Sequence, residues 1–256
     1  KPDFGDSAEF PIMPLRNTVL FPQQVIPIYI GREKSLHLIG DLDKGTKKYI
    51  VVVAQEDGSI EDPGKEDLYA YGTLAHVLKV FEMPDNSKSA IVQGISRVKI
   101  LDYTKDEPYY EAAVTQLEEI ELSEDLELDA LSNNLRQSFA DLIKIAPNLT
   151  DEHTGMLSNI QKPNRLADRA ISLMTLSNSE KQEILEELDV KARVEKSIKI
   201  ISREIQRIKL GEEIQTEVHD EIAKTQREYY LREQMKAIKK ELGEDEGTVE
   251  LKELED

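Results

Sequence analysis

The segment Val25-Ile26-Pro27-Ile28-Tyr29-Ile30 is the longest apolar run of the chain, and its pattern decides how the amino-terminal half folds. Its β-branched and aromatic residues favour a strand. Pro27 confines this strand to an edge or a kinked position, because proline has no amide hydrogen to donate to a neighbouring strand. Pro11 and Pro14 restrict the segment 10–15 in the same way. The run is far shorter than the roughly 20 apolar residues that a membrane-spanning helix requires.

Other segments around this run also have strand character. They are residues 10–15, 49–54, 72–82, 89–103 and 109–117. Residues 34–42 place Leu38, Ile39 and Leu42 on one helical face, which predicts a short helix packed on the sheet. Residues 1–118 are therefore predicted to form an irregular β-barrel or pseudo-barrel that buries one face of each strand.

Residues 119–188 change to a helical pattern. Apolar residues recur at helical spacing through 128–145. Three residues are placed to cap further helices: Thr150, Asn164 and Ser179. Ser179 with Gln182 also fits a capping box. Short helices of this kind expose too much apolar surface to stand alone, so the sequence predicts a helical bundle.

Residues 189–243 are predicted to form one long helix with coiled-coil character. Asp189 is placed to cap it, and Gly243 suits the position just beyond a helix end. At 1.5 Å per residue the helix would be about 80 Å long. Its apolar stripe has the spacing of a coiled coil with a break near Gly211, and the distal half needs a partner. The residues predicted to pack against that partner are Ile222, Tyr229, Leu231, Met235 and Ile238. The acidic tail 244–256 is predicted to be a loop or a frayed end.

The charge balance limits the classes of function. The chain has 51 acidic and 33 basic residues, a net charge of −18 and no cysteine. Such a charge disfavours nucleic acid binding, which depends on cations that displace counterions from the phosphates. Without cysteine there is no disulfide, thiolate nucleophile or cysteine zinc site, which fits the reducing cytoplasm. With no signal-peptide pattern and no spanning segment, we expect a cytoplasmic location and neither membrane nor nucleic acid partners.

No catalytic residue and no metal site is predicted. The chain has no Gly-Lys-Ser/Thr phosphate loop, and its four histidines are scattered without the spacing of a metal site. Neighbouring carboxylates such as Glu186 and Glu187 point to different sides of a helix. Binding and positioning of another molecule remain as the predicted function.

Apolar residues in turn contexts are the candidates for that binding. Leu20-Phe21-Pro22 lies between two predicted strands, and Phe81-Glu82-Met83-Pro84-Asp85-Asn86 forms the predicted tip of a hairpin. Phe and Met side chains at a loop tip present an apolar surface that adapts to different partners. The predicted binding residues are Phe21, Pro22, Met83 and Pro84. In the alternative interpretation, Phe21 and Phe81 point into the barrel core and leave only the hairpin tip exposed.

Three segments resemble the amino-terminal region of the bacterial ATP-dependent Lon protease family (endopeptidase La). Residues 11–35, from Pro11-Ile12-Met13-Pro14-Leu15 to Gly31-Arg32-Glu33-Lys34-Ser35, look like the start of that region. Val92-Gln93-Gly94-Ile95-Ser96-Arg97 is similar to the V-x-G-x-x-R strand of the family. The longest match begins at Gln226-Arg227-Glu228-Tyr229-Tyr230 and runs to residue 244, and it is similar to the helix that leads into the Lon ATPase.

The resemblance implies an α+β fold in which a PUA-like β-rich pseudo-barrel is followed by a helical bundle and a long helix. In the family, an AAA-plus ATPase and a Ser-Lys protease follow. Neither Walker motif nor protease domain is present in these 256 residues. We therefore expect no cofactor and no enzymatic activity in this chain, and we assign the ATP and Mg²⁺ of the family to a downstream module.

The function implied by the resemblance is substrate recognition and assembly. The chain would engage apolar segments of unfolded or regulatory proteins and help position them for a homohexameric ATPase and protease. Two other functions stay open from the residues alone. A free-standing PUA-like module would bind RNA, against which the negative charge argues, and an oligomerisation element would act only through its long helix.

Overall fold

The computed structural model describes residues 8–44, 48–85, 87–120 and 125–242. Within these ranges, six strands lie where the sequence predicts them, and β2 and β3 have the predicted ends. The strands are β1 (Ala8–Leu15), β2 (Val25–Ile30), β3 (Tyr49–Ala54), β4 (Tyr71–Glu82), β5 (Lys88–Lys105) and β6 (Glu111–Gln116). The helices are α1 (Glu33–Lys44), α2 (Leu126–Ile143), α3 (Asp151–Ser158), α4 (Pro163–Leu173), α5 (Asn178–Glu186) and α6 (Val190–Glu241).

The long strand β5 closes the sheet, because its two halves pair with different strands. The strand order is β2-β5-β4-β3-β1-β6, with an additional pairing between β5 and β6. Residues 88–93 of β5 pair with β2, and residues 98–105 pair with β6. The pseudo-barrel predicted from the sequence is therefore confirmed.

Strand β1 contains two prolines and yet lies inside the strand order, between β3 and β6. Its residues 8–11 pair with β6, and its residues 12–15 pair with β3. Each half thus has a single partner strand. Pro11 or Pro14 can therefore turn the position where it lacks an amide hydrogen away from that partner. Among the described residues, β2 pairs with β5 alone, so the edge position predicted from Pro27 is confirmed.

Two clusters of buried apolar side chains form the core of the β-rich region. One contains Leu38 and Ile39 of α1 together with residues of β2 to β5 such as Val92. The other contains Phe10 of β1 and Val114 of β6. The prediction that a short helix packs on the sheet through Leu38 and Ile39 is confirmed.

The starts of α3 and α4 show where the capping rules succeed and fail. Thr150 caps α3 as predicted, and its amide donates to His153 Nδ1 at 3.0 Å. Helix α4 begins at Pro163, one residue before the predicted cap Asn164. The prediction was wrong because the fixed backbone angle of proline suits the first helical position.

Helix α5 begins at Asn178, and its N-cap lies two residues before the predicted cap Ser179. Ser177 is its N-cap, and the Ser177 hydroxyl accepts from the Glu180 amide at 3.3 Å. Ser179 is instead inside the helix, so the predicted Ser179–Gln182 capping box is wrong. Gln182 is buried and donates to the carbonyl oxygen of Tyr71 at 3.0 Å, which attaches α5 to β4.

Helix α6 is a single element of 52 residues that continues through Gly211. Asp189 caps it as predicted, since Asp189 Oδ1 accepts from the Ala192 amide at 3.0 Å. The predicted terminating residue Gly243 and the acidic tail 244–256 lie outside the described residues.

The chain divides into two compact units, and the division falls within α6, after Arg203. The sequence places a boundary at the start of this helix instead, between residues 188 and 189. The difference arises because the first turns of α6 are buried in the first unit, through residues such as Val194 and Ile201. The β-rich region and the helical bundle both belong to this first unit.

Candidate functional site

The loop between β1 and β2 buries Phe21, which is only 1% exposed. The Phe21 amide donates to Gln24 Oε1 at 3.0 Å, and the Gly94 amide of β5 donates to the Gln24 carbonyl oxygen at 2.9 Å. A Cβ at Gly94 would lie 2.3 Å from the Phe21 carbonyl oxygen, so the loop can approach β5 only where that strand has glycine. The prediction of Phe21 as a binding residue is wrong, because the side chain fills the core under the loop.

Pro22 is half-buried and lines a cleft of about 400 Å³ in the first unit. Val25, at the start of β2, lines the same cleft and is half exposed. The opposite wall consists of Ile160 and residues of α4, including Arg165 and Arg169. The structure thus leaves Pro22 accessible as part of a mixed apolar and basic groove. Pro22 lies in a tight turn, which the hydrogen bond from the Gln24 amide to the Phe21 carbonyl oxygen closes at 3.2 Å.

An exposed apolar surface continues from Val25 along the outer side of three strands. In register across β2, β5 and β4, Tyr29 lies beside Ser89 and then Phe81, and Pro27 lies beside Ile91 and then Lys79. Side chains of a strand alternate between its two sides, so residues 25, 27 and 29 share one side. We call this surface the outer apolar face, and it consists of Val25, Pro27, Tyr29, Phe81 and Ile91.

The hairpin between β4 and β5 lies next to this face. Met83 is 42% exposed and Pro84 is also exposed, so the prediction that both are accessible is confirmed. The Met83 amide donates to the Ser87 carbonyl oxygen at 2.9 Å, and the Tyr29 hydroxyl donates to Asp85 Oδ2 at 3.2 Å. These bonds hold the hairpin tip beside Tyr29. Asn86, also part of the predicted tip, lies outside the described residues.

A buried ionic cluster lies beneath the junction of β5, α4 and α6. Arg97 donates through Nη1 to Asp168 Oδ2 at 3.0 Å and through Nη2 to Asp168 Oδ1 at 2.6 Å. Glu119 Oε1 accepts from Arg97 at 2.8 Å and from Arg193 at 2.6 Å. Arg97 Nε also donates to the Leu185 carbonyl oxygen at 2.8 Å. The cluster therefore ties the barrel to the helical bundle.

The electrostatics of this cluster indicate a structural role. Burial raises the pKa of Asp168, and the attraction of Arg97 and Arg193 opposes that rise. Burial acts in the same direction on Glu119, but there the charges of Arg193 and Arg97 hold the pKa below its ordinary value. Sequence reasoning missed the cluster, because its members are far apart in the chain. The signal available was Arg97, the last residue of the V-x-G-x-x-R motif.

The residues predicted for helix packing belong to the second unit. Each has at least half of its surface exposed within the described part of the chain: Ile222, Tyr229, Leu231, Met235 and Ile238. Their role in assembly is not tested by the structure of a single chain and stays a prediction.

Two negative findings concern the described residues. No helix among them has the length and apolar character needed to cross a bilayer. No group of three or more His, Cys, Asp or Glu side chains among them is arranged to hold a metal ion.

Known proteins with similar sequences cover almost the whole chain. A Lon protease from Koribacter versatilis is 42% identical over 254 residues, and one from Dictyoglomus thermophilum is 39% identical over 245 residues. These matches cover 98% and 95% of this chain but only 31% of each relative. The chain thus spans about a third of the length of these relatives.

Solved structures with the same fold come from the corresponding part of such proteases. The N-terminal domain of Mycobacterium avium complex Lon protease has a TM-score of 0.61 at 21% identity, and the match covers 76% of this chain and 98% of that one. The Lon N-terminal domain protein from Xanthomonas campestris has a TM-score of 0.53 at 18% identity, covering 73% and 95%. At these identities the likeness establishes the fold alone.

The sequence profile of one family matches most of the first compact unit. The profile describes the ATP-dependent protease La (LON) substrate-binding domain, and it matches residues 9–203. The end of this match coincides with the division within α6 after Arg203. The chain therefore belongs to the family of Lon protease substrate-binding domains.

Proposed function

We propose that this chain is the substrate-recognition and assembly region of an ATP-dependent serine protease of the Lon type. Its outer apolar face and the adjoining hairpin tip engage apolar segments of unfolded or regulatory proteins. The observation that carries the proposal is the exposure of Val25, Tyr29, Phe81 and Met83 on neighbouring strands and their hairpin.

The chemistry of this surface suits clients that expose apolar segments. Folded proteins normally bury side chains of this size, and contiguous exposed ones mark interaction sites. The aromatic rings stand on hydrogen-bonded strands, so little conformational freedom is lost when they bind. Lys79 Nζ lies 4.8 Å from the centre of the Phe81 ring, which leaves a cation beside the apolar surface for acidic client residues.

Assembly is the second part of the proposal. We assign it to the exposed apolar residues of α6, which pack against neighbouring subunits or downstream helices of a cytoplasmic homohexamer. Several copies of a weakly binding face around such a ring raise the effective concentration of a client without a tight pocket. ATP and Mg²⁺ act in a part of the protease outside this chain.

The proposal predicts that Met83→Asp weakens client binding by this chain. Burying a methionine side chain contributes about 1.5–3 kcal/mol, so its replacement by a charged residue is expected to weaken binding about tenfold or more. The measurement is fluorescence anisotropy with a labelled, permanently unfolded carboxymethylated protein.

Leu101→Asp is the matched control, because Leu101 is an exposed apolar residue of β5 outside the outer apolar face. It should bind the unfolded protein as the wild type does. Equal affinity of the wild type and Met83→Asp would remove the hairpin tip from the binding surface. Equal weakening by both variants would point to damage of the fold, which thermal unfolding of each variant checks.

A further inference from the structure

A second cleft adjoins the outer apolar face at Tyr29. It has a volume of about 730 Å³ and is lined by the ends of β1 and β2, the start of α1, and residues 61–62 and 107–108. Tyr29 lines this cleft and also belongs to the outer apolar face. A polypeptide that lies on the face can therefore extend into the cleft without leaving the protein surface.

Two arginines line the cleft, and a single loop, residues 57–60, holds both of them. Arg16 donates from Nε to the Gly58 carbonyl oxygen and from Nη2 to the Ser59 carbonyl oxygen, the latter at 3.3 Å. Arg32 donates from Nη2 to Gln55 Oε1 at 2.6 Å.

Gln55 connects Arg32 to the same loop. It is fully buried, and its Nε2 donates to the carbonyl oxygens of Asp57 and Ile60 at 3.2 and 3.0 Å. The backbone carbonyl oxygen of Gln55 accepts from Asn178 Nδ2 of α5 at 3.2 Å. Arg32 is therefore oriented by a buried side chain whose amide nitrogen is itself fixed by two backbone carbonyl oxygens, so the cleft is preorganised.

Neither arginine forms an ion pair with any described residue, in contrast to their neighbour Lys34, which lies 3.0 Å from Glu107. The cleft also contains the carboxyl groups of Glu33, Glu61 and Asp62. The pKa of Arg32 nevertheless lies below its ordinary value. Burial contributes most to that shift, and the positive charge of Arg16 lowers the pKa further, against the smaller opposite effect of Asp62. Arg32 is thus a partly buried cation on which Arg16 acts more strongly than Asp62.

We propose that this cleft binds a carboxylate of the polypeptide lying on the outer apolar face, through the unused donors of Arg16 and Arg32. This inference rests on the proposed function. A guanidinium presents forked donors that match the two oxygens of a carboxylate, and charge-assisted bonds of this type are the stronger ones. A bound carboxylate also offsets the repulsion between the two arginines. The carboxylate is either the carboxyl terminus of the client or an Asp or Glu side chain beside its apolar segment.

Three short labelled peptides of alternating leucine and serine test the inference by fluorescence anisotropy. One ends in a free carboxylate, one in an amide, and one carries a glutamate before the terminal amide. We expect the free carboxylate to bind the wild type about tenfold more tightly than the amide. Arg16→Gln and Arg32→Gln should each remove this preference and leave the affinity for the amide unchanged. The control variant Arg227→Gln, on α6, should retain the preference for the free carboxylate.

The outcomes separate the two proposals. Equal binding of acid and amide peptides by the wild type overturns the carboxylate site, and so does a preference that survives both arginine substitutions. The glutamate peptide identifies the source of the carboxylate, since tight binding of this peptide shows that the cleft accepts side-chain carboxylates. Client binding by the apolar surface is tested separately by Met83→Asp, at the adjoining hairpin tip, with the amide peptide. Arg16 is exposed, so Arg16→Gln should leave the fold intact. If Arg32→Gln lowers the unfolding midpoint, Arg16→Gln alone decides whether the cleft binds a carboxylate.

Discussion

Arg97 shows at the scale of single residues how this protein accommodates buried charge. Its side chain is almost inaccessible, yet its guanidinium meets two carboxylates and one backbone carbonyl oxygen. Removing a charge from water is unfavourable unless its donors are bonded, and these partners accept four hydrogen bonds from the Arg97 guanidinium. The motif position of Arg97 therefore reflects the attachment of the barrel to α4 rather than contact with a client.

Arg97→Ala is expected to lower the free energy of unfolding by about 3–5 kcal/mol, because it leaves Asp168 buried without its bidentate partner. Urea denaturation followed by circular dichroism measures the loss. Lys236→Ala, which removes an exposed pair with Glu233 on α6, should have a far smaller effect, because exposed ion pairs contribute little to stability. Similar small losses for both variants would show that the buried ionic cluster contributes little to stability.

The ends of the strands are predicted from the sequence more reliably than the starts of the helices. Continuous apolar and β-branched runs bounded by turn residues predict the ends of β2 and β3. Helix starts are less certain, since several Ser, Thr or Asn residues often lie near one end. At α5 both Ser177 and Ser179 are available, and the glutamate at position 180 completes the capping box for Ser177.

Ser177→Ala is expected to destabilise the chain by about 1 kcal/mol, because the α5 amides lose their capping acceptor. Ser179→Ala, two residues further along the same helix, should have a smaller effect on the free energy of unfolding. Urea denaturation of the two variants side by side makes the comparison. A larger loss for Ser179→Ala would contradict the observed start of α5.

The division after Arg203 is the main feature at the scale of the whole molecule. Both buried apolar clusters and the buried ionic cluster lie before it, whereas the exposed apolar residues of α6 come after it. Recognition and assembly are therefore assigned to different parts of the chain. This arrangement allows the two roles to be separated by truncation.

Removal of residues 204–256 is expected to leave a cooperatively folding chain that still binds the carboxymethylated protein, with an apparent affinity lowered only by the loss of multivalency. Self-association, measured by analytical ultracentrifugation, should be lost with the exposed residues of α6. Loss of client binding together with self-association would instead favour the view that the chain is only an oligomerisation element. Binding of structured RNA that falls steeply with salt would favour the RNA-binding alternative.

The existence and type of the strands and helices, the order of the β-rich and helical regions, and the family were all predictable from the residues alone. These properties depend on local periodicity and on short motifs, which can be read along the chain. The exposure of Met83 and Pro84 was also predictable, because a hairpin tip projects whatever the sheet packs against.

The surroundings of side chains that contact distant parts of the chain depend on the three-dimensional packing. Phe21 is buried because its loop lies on Gly94, and Arg16 and Arg32 face one cleft because a single loop orients both. Arg97 meets Asp168 across 71 positions of sequence. Contacts of this kind depend on how strands and helices pack in three dimensions, and no periodicity of the sequence encodes them.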